Sequence, residues 1–324
     1  MTVAVPNTAR LGIACMLAGM LFVSLNDMLI KLLSGGYPLH QIVFLRSAVG
    51  LVLTFGMVLA EGGPHLLRTG RPGLHLLRCL CILVGNSAIY AAIVVMPLAT
   101  ANAIYFVAPL FVTLLSIPVL GERVGPRRFL AIGLGFVGVL VMMVPELSAG
   151  AAGLGWAVIL PLIAAAGYAS MSVLTRKLGA TSRASALAFQ IHLAFFVMGL
   201  LMFAAAGDGS LLPENATGSI LFLLRPWVWP NGWDMLVICG LGAAASLVGY
   251  LLTQAYRLSP AAVVAPFEYV LLLYALFWGW TVFGEWPEPT VFVGVAIVIG
   301  AGVYIFMREG SKPAPHPIPP GETR

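Results

Sequence analysis

Charge is what this sequence has least of. Only 9% of its 324 residues are Asp, Glu, Lys or Arg, against about 25% in an ordinary soluble domain. So little polar surface excludes a soluble globular protein. Cysteine is also scarce. Cys15, Cys79, Cys81 and Cys239 lie in or at the ends of apolar runs. They have neither zinc-type spacing nor the look of an extracellular disulfide framework, and read as small buried residues. The chain has no H-E-x-x-H, no G-x-S-x-G, no phosphate loop and no metal cluster. No catalytic residue, metal or cofactor is therefore expected. Gly133 to Gly138 does match G-x-G-x-x-G, but inside an apolar run rather than between a strand and a helix. Close helix packing is its expected use. The net charge of +5 does not argue for nucleic acid, because the basic residues sit in short loops rather than on one patch.

What the chain has in abundance is apolar length. Hydrophobic residues make up 60% of it, in runs near the ~20 residues that cross a bilayer. The backbone must satisfy itself in lipid, so such runs are helices. Ten spans are expected, at 11–33, 40–60, 73–94, 97–119, 126–144, 154–176, 184–206, 234–256, 260–283 and 290–307. The first reads as an uncleaved span, since no A-x-A-type site follows it and Asn26-Asp27 interrupt it. Most linkers are short. The stretch 207–232 is long, and its Trp227 and Trp229 suggest a segment at the membrane interface. The Pro-rich 309–324 reads as a disordered cytoplasmic tail.

The chain also repeats itself. Under a shift of 163 positions, Pro97 to Glu122 falls on Pro260 to Glu285. Pro97 meets Pro260, Val107 meets Val270, Val119 meets Val282, and Gly121-Glu122 meets Gly284-Glu285. Internal repeats in a membrane protein are a transporter signature. Basic residues supply a direction. With the N-terminus in the cytoplasm, fourteen of the seventeen Lys and Arg fall on the cytoplasmic side, leaving Lys31, Arg46 and Arg225. Each half then has five spans, so the second enters the membrane upside down. The expected fold is an all-α polytopic membrane protein of ten transmembrane helices, built as two inverted five-helix repeats at 10–145 and 153–308.

The paired segments Pro97–Glu122 and Pro260–Glu285 resemble the two EamA repeats of the drug/metabolite transporter superfamily. So does the opening with Asp27, Lys31, Pro38 and Arg46. The resemblance implies a secondary transporter in the inner membrane, with both termini cytoplasmic and a small-molecule substrate. Export of amino acids or related compounds is the leading expectation, and uptake of a cofactor-like or nucleotide-like metabolite the alternative. The insert at 207–232 departs from the compact family pattern. A polytopic membrane enzyme or sensor is the reading from another class. The acids are too scattered for the first, and the tail too short for the output domain of the second.

An ionisable group at bilayer depth costs about 2.5–3.5 kcal/mol on insertion scales, so each needs a reason. Asp27 and Lys31 are four apart on one helix face. They read either as a local ion pair, with Lys31 snorkelling outward, or as a site with Asn26 and a substrate-facing Asp27. Arg46 would pair with Asp27 or attract an anionic group. Glu268 lies about eight residues into the ninth span. There it reads as a proton-coupling carboxylate or as a structural hydrogen bond. Its partner by repeat register is Tyr105, and Phe106 matches Tyr269. His192, Tyr90, Tyr168, Tyr250 and Gln254 complete the candidate substrate lining, each also readable as packing or helix–helix hydrogen bonding. Pro109 and Pro266 should break the fourth and ninth spans. The topology is checked by cysteine labelling: a cysteine at Ser148 should react from outside intact cells, and one at Ser182 should not.

Overall fold

The computed structural model describes residues 7–121, 126–148, 157–178, 183–258 and 265–309. Helix α1 (Asn7–Leu33) turns sharply into α2 (Leu39–Glu61), whose N-cap Pro38 is extended, at φ −71° and ψ 152°. A 3₁₀ turn at Pro64–Leu67 leads to α3 (Pro72–Val95), with Pro at its first position. There the missing proline N–H removes no intrahelical bond. Then come α4 (Leu98–Tyr105), α5 (Ala108–Leu120), α6 (Pro126–Ser148), α7 (Ile159–Leu178) and α8 (Ala184–Ala206). A short α9 (Gly218–Leu224) precedes α10 (Gly232–Leu258). A second 3₁₀ turn, Ala265–Tyr269, runs into α11 (Val270–Phe283), and α12 (Pro289–Glu309) ends the described chain. No strand occurs among the described residues.

Among the described residues, seven helical stretches are long and apolar enough to cross a membrane: α1, α2, α3, α4 with α5, α7, α8 and α10. At the fifth, ninth and tenth expected spans the apolar stretches are shorter, at Gly133–Met142, Phe267–Phe283 and Pro289–Ala301. The protein is therefore an all-helical, multi-pass membrane protein. The tail beyond Glu309 and the corner at Glu122 lie outside the described residues.

The repeated sequence has repeated local geometry. The fourth span breaks at Phe106 (φ −65°, ψ 2°), and the 3₁₀ turn before α11 ends at Tyr269 (φ −64°, ψ −12°), its partner by register. Both following helices end on a left-handed glycine, Gly121 at φ 72° and ψ 19° and Gly284 at φ 65° and ψ 18°. Only glycine takes that conformation without steric cost, which is why both corners carry it. Pro109 sits in the first turn of α5, just past the first break, as expected for a residue that cannot donate to the turn before it.

Helix pairing is reciprocal. Helix α2 packs on α8 and α6 on α12, while α3 packs on α7 and α1 on α10. Likewise α5 contacts α7, and α11 contacts α1. The seam between α6 and α12 is closed by glycine. A Cβ on Gly138 would strike the Gly294 carbonyl and Ile297, and one on Gly294 would strike the Gly138 carbonyl and Met142. Gly138 of the G-x-G-x-x-G run thus serves packing. Small residues let backbones approach where lipid supplies no hydrophobic drive.

The long insert folds as a strap across one end of the bundle. Ser219 Oγ donates to the Ala91 carbonyl at 2.7 Å, and the His40 ring meets the Leu223 carbonyl at 3.0 Å. Gln41 holds Val228 by both backbone groups, at 2.6 and 3.2 Å. Arg225 donates to the carbonyls of Ser34 and Gly35, which cap α1. Phe222, on the strap itself, is buried. Trp227 packs among His40, Phe44 and Phe203, while Trp229 is 82% exposed. Of the two tryptophans, only Trp229 is free to meet an interface. Replacing Gly294 by Leu should lower stability by about 1–3 kcal/mol through overpacking, read as a reduced thermal midpoint of the purified protein in detergent.

Candidate functional site

The polar residues of the interior line up where two apolar clusters meet. One cluster gathers Ile30, Ile42, Ile93 and Leu98, the other Met16, Val107, Met142 and Leu271, and Tyr105 touches both. Asn26 and Asp27 come from α1, Arg46 from α2, Tyr90 from α3 and Asn102 from α4, all buried. Asn26 Nδ2 donates to the Tyr90 hydroxyl at 3.1 Å, and Arg46 Nη1 donates to Asn26 Oδ1 at 2.8 Å and to Tyr90 at 3.1 Å. The Asp27 carboxyl lies beside the side chains of Asn102 and Asn26, with Arg46 within electrostatic reach. The rings of Tyr90 and Phe195 stand 5.1 and 5.5 Å from the Arg46 guanidinium.

From Asp27 the line continues into the second half of the chain. Tyr105 is within electrostatic reach of Asp27, Tyr90, Tyr168 and Glu268, and its ring meets that of Tyr168 edge-on at 5.9 Å. Tyr168 and Tyr269 both feel the charge of Glu268. The Tyr269 ring lies 5.0 Å from that of Phe106, its register partner. At the other end the His192 ring rests against Gly50 and feels Arg46. Nine of the expected lining residues thus form one seam: Asn26, Asp27, Arg46, Tyr90, Tyr105, Tyr168, His192, Glu268 and Tyr269. Tyr250 does not join it, being 50% exposed on the outside of α10. Gln254, half-buried four residues on, makes no hydrogen bond to the seam among the described residues.

Two expected ion pairs do not form. Lys31 does not pair with Asp27, nor does it snorkel. Its Nζ meets Glu285 at 2.5 and 2.7 Å and the Met96 carbonyl at 2.9 Å, while the Leu98 N–H also donates to Glu285. Asp27 lies beside two carboxamides instead, and the Lys31 ammonium meets a carboxylate at the corner after α11, 254 residues on. Arg46 does not pair with Asp27 either; its Nη1 is spent on Asn26 and Tyr90. Helix spacing alone favours the local pair, and in sequence Glu285 stands out only as a repeat corner. The same end holds a further tie, from the Tyr37 hydroxyl to Asp234 at 2.7 Å. That bond, then burial, raises the Tyr37 phenol above its ordinary value.

Sequence comparison places this arrangement. The model of the EamA-like transporter family matches residues 10–144. A riboflavin transporter from Rhizobium johnstonii is 30% identical over 261 residues, 76% of each chain. The chain belongs to the EamA-like transporter family. An S-adenosylmethionine uptake transporter from Rickettsia prowazekii is 22% identical over 92% of this chain and 93% of that relative. A pseudopaline exporter from Pseudomonas aeruginosa is 29% identical over 85% and 89%. One protein crystal structure shares the fold, with a TM-score of 0.57 at 18% identity over 92% of this chain and all but 1% of that one (99%).

In this EamA-like transporter, Glu285→Gln should strand the Lys31 ammonium, whose side chain is only 9% exposed. A loss of about 1–3 kcal/mol is expected, read as a lower thermal midpoint, with Lys31→Met in the same chain restoring most of it.

Proposed function

We propose that the protein is a secondary transporter that moves a small metabolite by alternating access between two inverted five-helix repeats. The observation that carries this reading is the polar seam, in which Asp27 and Tyr105 of the first half face Tyr168 and Glu268 of the second. A membrane protein buries such groups where substrate or protons pass. Reciprocal packing of α3 on α7 and α1 on α10 supports the twofold relation, as do the matching glycine corners. The repeats run from 10 to 145 and from 153 to 308, with ten spans, an inner-membrane location and cytoplasmic termini, as the basic residues argue. Lys31, Glu285 and the strap then close the outer end.

Glu268 and Asp27 are the groups placed to carry a coupling proton. The other lining residues, Asn26, Arg46, Tyr90, Tyr105, Tyr168, His192 and Tyr269, shape the cargo site. Export of an amino-acid-like compound is the leading reading, and the pseudopaline exporter among the relatives supports that direction. Uptake of a cofactor-like molecule is the second, favoured by relatives named for S-adenosylmethionine and riboflavin.

Proteoliposomes decide between them. Flux of S-adenosylmethionine, riboflavin and amino acids should be followed in both directions under an imposed pH gradient. Glu268→Gln should abolish flux or its pH dependence while membrane insertion stays intact. Full flux with an unchanged pH response would remove Glu268 from the mechanism.

A further inference from the structure

Arg46 is a buried cation whose hydrogen bonds all leave from one end. It is 4% exposed, and each of its hydrogen bonds leaves from Nη1, to Asn26 and Tyr90. Its Nε is buried without a partner. No carboxylate forms an ion pair with it among the described residues. Glu285 is taken by Lys31, and Asp27, though within electrostatic reach, forms no ion pair with it. The other buried guanidinium, Arg78, is arranged differently, with Nη2 spent on the Leu187 carbonyl at 3.2 Å. The Arg78 Nε is likewise unpartnered, but of these two buried guanidiniums only Arg46 makes no hydrogen bond from either Nε or Nη2 among the described residues.

That edge has a specific chemistry. The two parallel N–H groups of Nε and Nη2 match the two oxygens of a carboxylate or phosphate, a geometry that lysine cannot supply. A buried guanidinium with no counter-charge costs several kcal/mol, and the flanking rings of Tyr90 and Phe195 offset only part of it. Asn26 and Tyr90 grip the opposite Nη, so the fork is fixed before anything arrives. Preorganisation of this kind serves binding.

We infer that the cargo carries an oxyanion, a carboxylate or a phosphate, which seats on the Nε–Nη2 edge of Arg46 between the rings of Tyr90 and Phe195. This rests on the transporter reading of the same seam and narrows its cargo to molecules with an acidic group. A cargo without one leaves the guanidinium unmatched.

The test uses equilibrium binding by the full-length protein in detergent. The thermal midpoint is followed against benzoate, phenyl phosphate and the neutral isostere benzamide. Benzoate or phenyl phosphate should raise the midpoint in a saturable way, and benzamide should not. The stronger of the two anions names the cargo's group. Arg46→Lys keeps the charge but loses the fork, and should weaken the apparent affinity about tenfold or more. Asn26→Asp gives the guanidinium a resident counter-charge on Nη1, so it should raise the ligand-free midpoint and weaken the anion effect about tenfold or more. That variant keeps the test decisive even where Arg46→Lys folds poorly. An equal shift from benzamide, no anion shift in the wild type, or an anion shift that survives both substitutions would overturn the proposal. Binding without flux in vesicles would instead count against transport and leave the anion site standing.

Discussion

One lysine fixes the closed end of this molecule. The ammonium of Lys31 is gripped by both oxygens of Glu285 and by the Met96 carbonyl, and the same carboxylate takes the Leu98 N–H. Three separate stretches of chain therefore meet on one charge: α1, the corner after α11, and the junction between α3 and α4. A charge away from water has few ways to be satisfied, and each removes a freedom from its neighbours. The strap, the α1–α2 hairpin and the Tyr37–Asp234 bond gather at this same end.

The apolar architecture was legible in the sequence because it rests on composition and length. Runs of hydrophobic residues gave the helices, and the prolines at 38, 72 and 97 fell at or beside helix starts. The repeat at a spacing of 163 was legible too. It reappears in backbone angles at Phe106 and Tyr269, and at Gly121 and Gly284, because glycine and proline act locally.

Partner choice among the polar residues was less legible. Spacing of four on a helix makes Asp27 and Lys31 look like a pair, yet each finds better company across the bundle. Asn26 decides this as much as either charge, since one short carboxamide serves both Arg46 and Tyr90. Nothing along the chain signals that Glu285, 254 residues from Lys31, comes to lie against it. Tyr250 illustrates the opposite error: an aromatic residue in a span looks like lining until the helix's rotation is known, and here it faces outward.

The strap has a consequence for the rhythm of the molecule. It is spliced between α8 and α10, yet its polar bonds run to the ends of α1, α2 and α3. Swinging α8 and α10 away from that hairpin would have to shear the hydrogen bonds of Gln41, Arg225, Ser219 and His40 together. No one of them can yield much while the others hold. Loosening that end would thus require the bonds of the strap to give way together rather than one by one.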